Sequence, residues 1–177
     1  SKDGIPMNRA AAARSLGWLG LTEACSALRS GSRDPECLVR GAAVEALGRL
    51  ETASALPDVI EALRDPTPSV RRHAARAFGR LCDGHDPQPL IDLAADQDPE
   101  VRTLVIRELS QMCPDQSVKY ALSGLADENP AVRSAAAIAF RHLGDPAHLP
   151  HLEAASNDLH PEVRAQILMS IEALRAP

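Results

Sequence analysis

Aromatic residues are nearly absent from this 177-residue chain, which has two Phe, one Tyr and one Trp. A core cannot be built on large rings and must come from aliphatic side chains and alanine, which suits helices packed close together. No apolar run reaches the roughly 18 residues that a membrane span needs. No charged-then-apolar signal peptide opens the chain. There is no phosphate-binding glycine loop, nucleophile elbow or Cys/His pairing, so no catalytic motif is in view. The four cysteines, Cys25, Cys37, Cys82 and Cys113, form no Cys-x-x-Cys. They read as small buried hydrophobes in a reducing, cytoplasmic compartment. A net charge of −5 argues against a generic nucleic-acid binder.

What the chain does have is a period. Val-Arg recurs every 31 residues, at Val39-Arg40, Val70-Arg71, Val101-Arg102, Val132-Arg133 and Val163-Arg164, and Asn8-Arg9 keeps the Arg one period earlier. Five residues before each pair stands Asp3, Asp34, Asp65, Asp96, Asp127 or Asp158. Two residues before it stands Pro6, Pro68, Pro99, Pro130 or Pro161, with Cys37 the exception. A fixed period of this length marks a repeat architecture. In residues 39–50 the apolar Val39, Ala43, Ala46, Leu47 and Leu50 fall on one helical face, and the same columns recur as Val70, Ala74, Ala77, Phe78 and Leu81. Breakers such as Gly144-Asp145-Pro146 and Cys113-Pro114-Asp115 precede shorter, less regular first helices. Each unit therefore reads as a helical hairpin. The expected division is a half repeat 1–20, then repeats 21–51, 52–82, 83–113, 114–144 and 145–177.

These residues resemble the HEAT-like repeat family in its short bacterial form. Residues 127–152 carry the pattern well, with Asp127, Pro130, Val132-Arg133, Ala135-Ala136, Ala139-Phe140, Leu143-Gly144-Asp145, Leu149-Pro150 and Leu152. The resemblance implies an all-α, right-handed α-solenoid (superhelix) with first helices on the convex side and second helices on the concave side. Residues 103–112 depart from it, with Leu104, Val105 and Ile106 where small residues are usual and Ser110 in place of Gly, which predicts a local change in curvature. One enzymatic branch of the family, deoxyhypusine hydroxylase, holds iron on His-Glu dipeptides. This chain has none, and the reading is non-enzymatic, without metal or cofactor.

A residue repeated in every unit serves the stacking of units. Asp34, Asp65, Asp96, Asp127 and Asp158 with Arg40, Arg71, Arg102, Arg133 and Arg164 are expected to form a structural ladder, each Arg reaching the Asp of an adjacent unit. Removing them from the count exposes a charge asymmetry. The six second-helix windows hold 14 Arg and 4 Glu, while the remaining segments hold 5 basic and 20 acidic residues. Residues 2, 6 and 10 after each Val position should face away from the core. Those columns place Arg49, Arg72, Arg76, Arg80 and Arg107 mid-array on the concave face, with Ile138 and Met169 toward the C-terminus and Trp18 at the N-terminal end. Arg recognises carboxylates bidentately, and Met and Trp are frequent interface anchors.

The expected function is a protein–protein interaction scaffold or regulatory module that grips an acidic, partly apolar segment. Phosphate binding to nucleic acid along the same face is the alternative, opposed by acidic flanks and scarce aromatics. A lyase- or chaperone-type subunit of the phycobilin lyase branch is a further alternative, though no bilin pocket is recognisable. His142, His148 and His151 lie near Glu153, but Pro150 separates the last two histidines, so they read as exposed polar residues rather than zinc ligands. His73 and His85 stand alone in sequence. Apolar helices at both ends suggest further repeats, a partner or a second copy covering them.

Overall fold

The computed structural model describes residues 5–81 and 86–176; Asp3, Cys82 and His85 lie outside the described residues. All regular structure among the described residues is helical. The chain forms two compact units, residues 1–90 and 91–177. The first contains α1 (Pro6–Trp18), α2 (Cys25–Gly31), α3 (Cys37–Leu50), α4 (Leu56–Ala62) and α5 (Pro68–Leu81). A single turn, α6 (Gln88–Ile91), falls on the division. The second unit contains α7 (Pro99–Met112), α8 (Pro114–Leu125), α9 (Pro130–Leu143), α10 (Leu149–Ala154) and α11 (Pro161–Arg175). Short 3-10 turns at Thr22–Ala24, Ala53–Ala55 and Pro146–His148 lead into α2, α4 and α10.

Local chemistry sets these boundaries. Pro opens α1, α5, α7, α9 and α11, where its missing N–H leaves no helical bond unmade. The Asp98 carboxylate accepts from the backbone N–H groups of Glu100 and Val101, and Asn129 accepts from Ala131 N–H, capping α7 and α9. At the far end α9 stops on Gly144 in the left-handed region (φ 68°), while α3 stops on Glu51 at φ 49°.

Within the first unit, α1, α3 and α5 pack side by side, with α2 and α4 covering one flank. The approach is tight because of glycine. A Cβ added at Gly17 would stand 2.7 Å from Ala46, and one at Gly48 would stand 2.5 Å from Ala77 Cβ. Val39 and Val70 are buried, and Phe78 of α5 has no exposure to solvent. In the second unit the core gathers Ile106, Val132, Phe140, Leu152, Val163, Ile167 and Ile171. The bulky run of α7 is absorbed by its neighbour. Leu104, Val105 and Ile106 are all buried, and Gly124 of α8 leaves the room that Ile106 Cδ1 occupies, since a Cβ there would lie 2.6 Å away. Ser110, in the column held by Gly17 and Gly48 earlier in the chain, is buried and donates to the Arg107 carbonyl.

Candidate partner-binding faces

The Asp and Arg columns meet in space. Arg9 reaches Asp34 through Nε (2.9 Å) and Nη2 (3.0 Å). Arg40 reaches Asp65 in the same bidentate fashion (2.7 and 3.0 Å). In the second unit Arg102 grips Asp127 (both 2.8 Å) and Arg133 grips Asp158 (2.6 and 2.9 Å). Each Asp also accepts the backbone N–H two residues on, as Asp65 does from Thr67 and Asp127 from Asn129. Meanwhile the Nη1 of Arg40, Arg71, Arg102, Arg133 and Arg164 donates to the backbone carbonyl of the Asp in its own loop, at 2.7–3.0 Å. One guanidinium thus ties its own loop to the carboxylate of the next. Arg hydrogen bonds hold the Asp34, Asp127 and Asp158 carboxyls below the usual carboxylate range. At Asp65 burial pushes upward, but Arg40 and the Thr67 N–H outweigh it and the net direction is again downward.

The other columns of the first unit make a cationic face that is partly self-satisfied. Trp18 is 71% exposed, and the Arg49 guanidinium lies 3.8 Å above its ring centroid. Arg49 also donates to Glu45 (2.7 Å), so it is not an open cation. His73 Nδ1 stands 3.6 Å from the second oxygen of Glu45, and its ring fills the space over Gly41, where a Cβ would lie 3.0 Å from Cδ2. His73, which stands alone in sequence, is therefore part of a cluster. Burial lowers its pKa, Glu45 opposes that, and Arg76, Arg72 and Arg14 reinforce it. Arg76, Arg80 and Arg14 are exposed, whereas Arg72 is half-buried and engaged. The column two residues after Val is mixed: Ala10 and Gly41 are buried, the latter beneath the His73 ring, whereas Arg72, Thr103 and Ser134 are half-buried and Ala165 is exposed.

In the second unit Arg107 is exposed and donates to the adjacent Glu108 (3.2 Å). Ile138 is half-buried, and Met169 is 51% exposed beside the equally exposed Leu168. Arg107 and Ile138 share a slot of about 320 Å³ with Thr103, Ala135, His142 and Glu162.

Other chemistry-bearing groups are consumed within the fold. The Asp58 carboxylate, 1% exposed, takes Arg29 Nε at 2.6 Å and lies 2.9 Å from Arg33 Nη2; sequence reasoning missed this pair because the two first helices show no common motif. The His148 ring packs 5.1 Å from Phe140, and His151 stacks on the same Phe140 ring at 6.4 Å. Among the described residues no group of three or more His, Cys, Asp or Glu could hold a metal. Cys37 is exposed and Cys25 and Cys113 are half-buried, so these three are not core hydrophobes; each occupies a loop or helix end, where solvent reaches. No described helix is long and apolar enough to cross a membrane.

The family model for HEAT repeats matches residues 31–96 and 87–172. The chain belongs to the HEAT-repeat family. The PBS lyase HEAT-like repeat model matches residues 9–34 of the same HEAT-repeat chain. A search of curated proteins returns no match. Among solved structures, a designed armadillo repeat protein in complex with the peptide (KR)4 is 19% identical, with 93% of this chain and 92% of that chain covered and a TM-score of 0.68. An engineered protein is 16% identical, with 99% and 95% covered and a TM-score of 0.67. The CpcE–CpcF complex of phycocyanin lyase from Nostoc sp. PCC7120 is 19% identical, with 97% and 75% covered and a TM-score of 0.57. At these identities the likeness shows a shared helical-repeat, α-solenoid fold and nothing finer.

Proposed function

We propose that this HEAT-repeat scaffold is a non-catalytic protein-interaction module whose second-helix face in the first unit holds an acidic, partly apolar protein segment. The observation that carries the reading is the charge of that face. Arg14, Arg72 and Arg76 lie around His73, and Arg49 and Arg76 around Glu45, with the exposed Arg80 on the same helix as Arg76; Glu45 is already met by Arg49 and His73. The exposed Trp18 ring, with Arg49 stacked on it, supplies an apolar anchor beside the cations. A designed armadillo repeat protein of similar fold is in complex with the peptide (KR)4; the cationic face of this chain suits an acidic segment. Arg107, Ile138 and Met169 supply a cation and apolar contacts in the second unit.

Fluorescence anisotropy of a labelled eight-residue peptide alternating Leu and Glu tests this. Arg76→Glu with Arg80→Glu should weaken binding at least about tenfold, and Trp18→Ala should weaken it too. Undiminished binding by the double variant would remove the reading. Tighter binding of single-stranded oligonucleotide than of peptide, lost steeply with salt, would replace it with phosphate recognition.

A further inference from the structure

Of the charged and titratable groups gathered on the cationic face of the first unit, His73 alone changes charge near neutral pH. Three helices surround its ring. From α3, Gly41 leaves the space the ring fills, and Glu45 Oε2 stands 3.6 Å from Nδ1. From α1 comes the charge of Arg14, and α5 itself adds Arg72 and Arg76. The other oxygen of Glu45 accepts from Arg49 at 2.7 Å, so that carboxylate is shared. The His73 side chain is 37% exposed, which leaves it within reach of an arriving chain. Burial holds His73 below the usual histidine range; Glu45 opposes this, and Arg76, Arg72 and Arg14 reinforce it. The free face thus sets three guanidiniums and a low-dielectric pocket against one shared carboxylate, and the imidazole stays neutral.

Carboxylates laid on this face reverse that balance. They offset the arginine field that disfavours an imidazolium, and an opposite charge within about 4–6 Å favours the charged form directly. We propose that His73 takes up a proton from solvent when an acidic segment occupies the cationic face, so that the face grips its partner more tightly in mildly acidic solution. This rests on the reading of the face as a binder of acidic segments and adds its regulation. As an imidazolium His73 donates from both ring nitrogens and adds one cation to the face. The sign follows from reciprocity: if the segment makes His73 hold its proton more tightly, the proton makes the face hold the segment more tightly by the same factor. Affinity is therefore flat at alkaline pH, rises as pH falls through the histidine range, and levels off below it. The glutamates of the segment stay ionised down to about pH 4.3, below that interval.

Anisotropy with the labelled Leu/Glu peptide, at constant ionic strength between about pH 8 and pH 5.5, should show about three- to tenfold tighter binding at the acid end. Calorimetry of the same pair near about pH 6.5, in two buffers of different ionisation enthalpy, should report net proton uptake. His73→Gln should lose most of the pH response. The wild-type protein gives an independent readout, because the chain has six histidines and their ring Cε1–H signals can be followed one by one. The His73 signal should titrate at higher pH in the presence of saturating peptide than without it. Equal affinity at both pH values, or a His73 titration that saturating peptide does not move, overturns the coupling and leaves the acidic-segment reading standing. A pH response that survives His73→Gln undiminished overturns His73 as its source. Weaker binding at the acid end overturns the sign. No binding at any pH in the range overturns the coupling and the acidic-segment reading together.

Discussion

Glu51 and Gly144 occupy the same place in their repeats, twelve residues after Val39 and Val132, and both end a helix with positive φ. A side chain in that conformation is strained by Cβ against the carbonyl oxygen, whereas glycine adopts it freely. Glu51→Gly should raise stability by about 1 kcal/mol in chemical denaturation, and Gly144→Ala should lower it by a similar amount. A loss on Glu51→Gly would show that the Glu51 side chain contributes more than its strain costs. Gly48 poses the opposite problem, since its φ is ordinary and its constraint is space. With Ala77 Cβ 2.5 Å from the added methyl, Gly48→Ala should destabilise by about 1–3 kcal/mol through overpacking. His73 adds a pH term. Burial lowers its folded pKa, so its neutral form is favoured in the fold. That contribution is present above the unfolded value of about 6.5 and is lost as pH falls from there through the folded value. His73→Gln should flatten the stability profile in that window.

Between helices, the ladder is the recurring device. Asp65 accepts from Arg40 Nε and Nη2 and from Thr67 N–H, and its side chain is 9% exposed. Asp65→Ala should cost about 2–3 kcal/mol, because the half-buried Arg40 loses its bidentate partner and the loop loses its turn. Peptide affinity should not change, since neither group lies on the cationic face. The depressed carboxyls at Asp34, Asp65, Asp127 and Asp158 share one sign. Their stabilisation is complete above the unfolded pKa of about 3.9 and disappears as pH falls through the lower folded values. Acid titration followed by circular dichroism should show cooperative loss of helix below about pH 4, and Asp65→Ala should show a shallower dependence.

Across the molecule, charge is partitioned between basic second helices and acidic remaining segments within an overall −5. Binding that depends on this partition should weaken as salt rises from about 0.05 to 0.5 M, because exposed charges are screened beyond a shortening Debye length. The bidentate, largely buried ladder pairs should keep the helical content constant over the same range. Loss of helix with salt would place the ladder, rather than the face, in control of binding. The two units each carry their own cations, with Arg76 and Arg80 in the first and Arg107 in the second. Charge reversal in one unit should therefore leave the other unit's contact measurable.

The 31-residue period and the apolar columns made the helices and much of the core readable, because burial repeats with the pitch of a helix. Val39, Ala43, Ala46, Leu47 and Leu50 lie inside as their spacing requires. The recurrence of Asp and Arg likewise pointed to seams, since a bond between units must be made again in every unit. What the columns could not carry was the identity of a lateral neighbour. Whether Arg49 is an open cation depends on Trp18, 31 residues away, and on Glu45 one turn back. His73 becomes part of a cluster only because Gly41 leaves room for its ring and Glu45 faces it. Ile106 is accommodated by a missing side chain at Gly124, on a different helix. Periodicity reports which side of a helix is buried; the space and charge that meet that side are set by the adjacent helix, and so exist only once the helices are packed.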